Sequence, residues 1–155
     1  MTETILVRAA TLADGTSTDI LVRDGRIAEL GRAIFASADR LIDGAGLIAL
    51  PGLVDLHTHL REPGFEQSET VLSGSRAAAI GGFTAVHAMA NTSPVADTAG
   101  VVEQVMSLGD RHGYVTVRPI GAVTRGLEGQ HLSEIGAMAN SRARVKVFSD
   151  DGKCV

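Results

Sequence analysis

A chain of 155 residues, 45% hydrophobic and with a net charge of −4, has the composition of a globular protein and is long enough for one domain or part of a larger one. The acidic balance offers no basic stripe to a nucleic acid, and 3% aromatic residues with no Trp leave little for stacking bases or sugars. No stretch reaches the roughly 20 apolar residues of a membrane span, the start MTETILVRAA lacks the pattern of a secretory signal, and the single cysteine, Cys154, has no internal disulfide partner; a cytoplasmic protein is expected.

Taken in chain order, the first 50 residues read as short β-rich runs. These are TILVRAA, TDILVRDGRIAELG and RLIDGAGLIAL, and the Asp24-Gly25 pair between two apolar segments signals a hairpin. So small a sheet is marginal alone and needs something to pack on. Beyond Pro51-Gly52 the pattern becomes strand and helix in alternation. GLVDLHTH reads as a strand, and SETVLSGSRAAAIGG as a helix with Ser68 as its N-cap and Gly81-Gly82 at its end. FTAVHAMAN is a second strand, DTAGVVEQVMSLGDRHG a second helix, and YVTVRPIGAV a third strand. HLSEIGAMANS is a third helix and ARVKVFSDD a fourth strand. This rhythm predicts βαβ units around a parallel sheet, whose functional groups gather at the C-terminal ends of the strands.

The first such end carries DLHTHLR. In an extended strand, residues i and i+2 face the same way, so His57 and His59 point together with Leu53 and Asp55. Two imidazoles on one face suit a shared metal ion; the alternative is a pair of structural histidines. Arg61 follows where a guanidinium can grip a substrate carboxylate with two parallel hydrogen bonds, unless it simply pairs with Glu62 on the surface. Asn91, ending the second strand, offers a donor and an acceptor to a ring amide, or else only shapes the turn before Ser93-Pro94. FSDDG closes the fourth strand, with Gly152 allowing a sharp turn. Alternation sends Asp150 and Asp151 to opposite sides, so one of the two enters the site. His87, His112 and His131 receive no role.

In this order, DLHTHLREPG, GGFTAVHAMANTSPVAD and FSDDG resemble dihydroorotases of the longer, bacterial type, within the amidohydrolase superfamily. H-x-H-x-R-E-P-G is shared with hydantoinases and allantoinases. Those relatives carry a carboxylated lysine at the fourth strand end, whereas Lys146 stands five residues too early and an acid takes the place. The family usually has Pro-Asn-Thr where this chain has Ala90-Asn91-Thr92, which keeps the Asn and drops a turn constraint.

The resemblance implies an α/β fold: the first half of a (β/α)8 TIM-type barrel over residues 53–155, preceded by a small β-sandwich segment over 1–52. It implies zinc, two ions per complete site, held here by His57, His59 and Asp151, with substrate contacts from His59, Arg61 and Asn91. The implied reaction is the reversible cyclisation of N-carbamoyl-L-aspartate to L-dihydroorotate in pyrimidine synthesis. The acid–base aspartate and further ligands are expected beyond Val155, so the chain reads as an N-terminal part that is inactive alone. The implied partner is a small-molecule substrate, with a homo-oligomer or aspartate carbamoyltransferase as further partners. The alternatives are a hydantoinase- or allantoinase-type amidohydrolase and a non-catalytic scaffold for that carbamoyltransferase.

Overall fold

The computed structural model describes residues 3–153, so Cys154 lies outside the described residues. The chain divides into two compact units, Met1–Pro51 and Gly52–Val155.

The first unit is a five-stranded mixed sheet. Its strands are β1 (Thr4–Leu12), β2 (Ser17–Arg23), β3 (Arg26–Gly31), β4 (Arg40–Asp43) and the short β5 (Ile48–Ala49). β2 and β3 form the expected hairpin, with Asp24 and Gly25 at φ 53° and 71°, the left-handed geometry that an Asp-Gly turn adopts readily. β1 pairs antiparallel with β2 and parallel with β4 and β5. A bulge interrupts β1 between Val7 and Ala10, and Asp19 holds it by accepting from the Ala9 N–H at 2.9 Å and from Arg8 Nη1 at 2.6 Å. The same two contacts, Ala9 first, hold the Asp19 carboxyl below the usual carboxylate range. Leu6, Leu21 and Ile34 are the buried centre of this unit.

The second unit alternates strand and helix. Its elements are β6 (Leu53–Thr58), α1 (Val71–Ile80), β7 (Phe83–Ala88), α2 (Ala99–His112), β8 (Thr116–Pro119) and α3 (Ile135–Asn140). The strands form a parallel sheet in the order β6-β7-β8. Val86 and Ala88, two apart on β7, are buried with Leu60, Val71, Val105 and Val117, so this face of the sheet packs on α1 and α2. Gly109 of α2 lies so close to β8 that an added Cβ would sit 2.6 Å from Val117 Cβ. Gly109→Ala is therefore expected to destabilise the protein by about 1–3 kcal/mol through overpacking, although Ala is the better helix former. A lower denaturation midpoint would show this; an unchanged one would mean that α2 slides away at no cost.

The cap of α1 is Thr70, not Ser68: the Ser68 N–H is used in a turn to Phe65 O at 2.9 Å, while Thr70 and Ser73 form a reciprocal capping box. The two-residue alternation of β6 breaks at a bulge, where Asp55 pairs with Val86 and Thr58 with Ala88, three residues against two. Asp55 thus does not extend the face of His57, and its Oδ1 instead accepts the His57 N–H at 2.9 Å.

Residues 143–151 are not the expected fourth strand: they meet the end of the sheet at a single parallel bridge, Gly121 to Phe148. Arg144 has φ 46°, which interrupts an extended chain. A cavity of about 540 Å³ separates this segment from β8. It is lined by Arg118, Arg142, Arg144 and Lys146 with His87, and by no acid among the described residues, so like charges oppose its closure.

Candidate metal centre

His57 ends β6 and His59 follows it, with the two rings edge to face, centroids 5.2 Å apart. Asp151 arrives from the segment after the Gly121 bridge, and its Oδ2 lies 3.3 Å from His57 Nε2 and 3.4 Å from His59 Nε2. The three potential ligand atoms lie within 4.8 Å of one another. Two ligands of one tetrahedral ion, each at about 2.0–2.1 Å, stand roughly 3.3 Å apart, so the separations to Asp151 fit a small divalent metal. The donor set of two imidazoles and one carboxyl oxygen fits as well. His57 is exposed and His59 and Asp151 are half-buried, so the cluster is open on one side.

The two acids of FSDDG have different tasks. Asp150 is buried at 7% exposure, and its carboxyl accepts from the Val123 N–H at 2.7 Å, the Thr124 N–H at 3.1 Å and the Thr124 hydroxyl. It ties the segment to the loop after β8, and the next residue, Asp151, is delivered to the histidines. Gly152, at φ 75°, turns the chain away as its position suggested. Sequence alternation separated the two acids without saying which one faces the histidines, and Thr124 gave no signal.

Asn91 Oδ1 lies 3.0 Å from His59 Nδ1, on the side of the ring opposite the cluster. Its loop is tied to the loop after β6 by the Ser93 N–H, which donates to Pro63 O at 2.9 Å. Gly64, at φ 101°, makes this approach possible, since a Cβ there would stand 2.2 Å from Ser93 O. Arg61 is half-buried with φ 63° and forms no ion pair among the described residues. Glu62 is not its partner: Glu62 Oε2 accepts the first N–H of α1, from Val71, at 2.8 Å. Lys146 lines the basic cavity beside β8 and is not part of the His57–His59–Asp151 cluster.

The model of the "Dihydro-orotase-like" family matches residues 46–155. The chain is 71% identical over 153 residues to a dihydroorotase of Leifsonia xyli subsp. xyli, covering 99% of this chain and 35% of that protein. It is 60% identical over 151 residues to a dihydroorotase of Streptomyces coelicolor, covering 97% of this chain and 35% of the relative. It thus spans about a third of the length of these curated relatives. Among solved structures, the L-hydantoinase (dihydropyrimidinase) from Arthrobacter aurescens superposes with a TM-score of 0.71 at 27% identity, over 81% of this chain and 29% of that one. The α/β arrangement is therefore that of hydantoinase-like proteins, while the two curated relatives named above are dihydroorotases. On the matched residues 46–155, which include both histidines and the acid that faces them, this chain belongs to the dihydro-orotase-like family.

Proposed function

We propose that the polypeptide to which these residues belong is a zinc-dependent dihydroorotase, interconverting N-carbamoyl-L-aspartate and L-dihydroorotate. The observation that carries this reading is the meeting of His57, His59 and Asp151, from two distant chain segments, at one point beside the sheet end. Imidazole nitrogens together with a carboxyl oxygen suit zinc, and zinc, with two ions per complete site, is part of the proposal. When bound, zinc supplies Lewis acidity toward the ring carbonyl and acidifies water near neutral pH. The remaining work falls to side chains. Arg61, without an ion-pair partner among the described residues, is proposed to hold the substrate carboxylate, with the Asn91 amide N–H groups as further donors to it. His59 joins them as a substrate contact. The acid–base aspartate belongs, in this proposal, to residues beyond Val155.

The same reading takes β6-α1-β7-α2-β8 as the start of a (β/α)8 barrel, residues 53–155, and 1–52 as a β-sandwich segment. The parallel order and the hydantoinase likeness support the first, and the β-rich composition of the opening residues supports the second. Against a hydantoinase-type site stands the position of Lys146 in the basic cavity, with an acid facing the histidines instead.

The test is an assay of the complete polypeptide, stripped of metal and then given zinc, on L-dihydroorotate, N-carbamoyl-L-aspartate and hydantoin. Zinc-restored turnover of the first two is expected. Turnover of hydantoin alone would favour the hydantoinase-type alternative. Absence of any turnover would favour a scaffold, such as one for aspartate carbamoyltransferase.

A further inference from the structure

We propose that Asn91 is a positioning residue for the metal centre: its side-chain carbonyl holds His59 in the Nδ1–H tautomer, and this leaves Nε2 free as a ligand. The inference rests on the metal reading above but gives Asn91 a task distinct from contact with substrate. Nδ1 of His59 is 3.0 Å from Asn91 Oδ1, while Nε2 of the same ring is 3.4 Å from Asp151 Oδ2. A neutral imidazole carries one proton, and an amide oxygen can only accept; with Oδ1 toward the ring, the proton must be on Nδ1. Nε2 then presents a lone pair toward the cluster. The reverse tautomer would place a proton where the metal must bind.

Asn91 is well placed to impose this choice. It lies between Ala90 and Thr92, both buried. The Thr92 hydroxyl donates to Pro94 O at 2.8 Å and the Ala96 N–H donates to Ala90 O at 3.0 Å, so the turn is held by its own bonds although no proline precedes Asn91. The two sides of the amide divide the labour. Oδ1 faces His59, and the two N–H donors remain for an anionic ligand. A bound substrate carboxylate, which only accepts, would hold the amide in the same orientation that favours metal binding, so each ligand strengthens the other's site.

The first measurement is the tautomer of His59 in the metal-free complete polypeptide, by nitrogen-15 NMR of labelled histidine, with assignment from a His59→Gln variant. The Nδ1–H form is expected; the Nε2–H form would overturn the proposal, and neither result depends on zinc or on activity. The second compares zinc affinity, by competition with a chelator, in two variants. Asn91→Ala should weaken zinc binding by roughly 10–100-fold and release the tautomer. Asn91→Asp keeps an acceptor for Nδ1–H, so it should keep zinc affinity within about threefold of the wild type while raising KM, because its charge repels the substrate carboxylate. Equal zinc binding in Asn91→Ala and wild type would overturn the proposal. If the wild type itself bound no zinc, the metal reading would fail, and the His59 tautomer would still decide the role of Asn91.

Discussion

Replacing His57 by alanine is expected to weaken zinc binding by the complete polypeptide by more than about 100-fold, since groups that merely support a ligand already cost 10–100-fold when removed. Turnover of dihydroorotate at limiting zinc should fall with it. The same is expected of Asp151→Asn, which keeps the shape of the side chain and exchanges a carboxyl for a weakly ligating amide. Neither change should unfold the protein. The His57 side chain is 55% exposed and that of Asp151 28% exposed, and neither is packed in a hydrophobic cluster. Surface substitutions of this kind cost within about 0.5 kcal/mol. Loss of metal with an unchanged denaturation midpoint is therefore the signature to look for, with affinity measured by chelator competition and stability by denaturant titration. Retention of wild-type zinc affinity in His57→Ala would remove the basis of the site.

Much of this site was legible because its information is local. Two histidines two residues apart, at the end of an apolar run, need only extended backbone to face one way, and although the bulge between Asp55 and Thr58 includes His57, the two rings still meet at one cluster. The Asp24-Gly25 hairpin was equally local, since left-handed φ at both positions is a property of those residue types. What was not legible depends on partners far along the chain. The contact of Asn91 with His59 spans 32 residues and exists only once the two loops are tied together through Pro63 and Ser93. Ser68 has as good a capping side chain as Thr70, but the helix begins only at Val71, after the turn that holds Ser68, and it is the Thr70 hydroxyl that accepts the Ser73 N–H. The alternation in ARVKVFSDD predicts a strand by its period, but the period is blind to charge. Arg142, Arg144 and Lys146 share a cavity with Arg118, and the segment touches the sheet at one bridge instead of pairing along it.

That single bridge makes Asp150 the second residue whose loss should be costly, in a way that its neighbour's is not. Few hydrogen bonds hold the 143–151 segment to the loop after β8: besides Gly121 N–H to Val147 O at 3.1 Å and Ser149 N–H to Gly121 O at 2.9 Å, the Asp150 carboxyl takes two backbone N–H groups and the Thr124 hydroxyl. Asp150→Ala strands these three donors in a buried place, at about 1–3 kcal/mol each when unpaired. A loss of about 3 kcal/mol or more is expected, even with partial access of water to the gap. Native-state hydrogen exchange reads it directly: protection of the Val123 and Thr124 amides should fall by roughly 100-fold or more, since each 1.4 kcal/mol is a factor of ten. Zinc affinity should fall as well, because Asp151 reaches His57 and His59 only while Asp150 is anchored. Asp151→Asn, by contrast, should lose zinc and leave the two amides protected. If Asp150→Ala bound zinc like the wild type, Asp151 would be positioned by something other than its neighbour. If Asp151→Asn also exposed the Val123 and Thr124 amides, the two acids would not be separable into an anchor and a ligand.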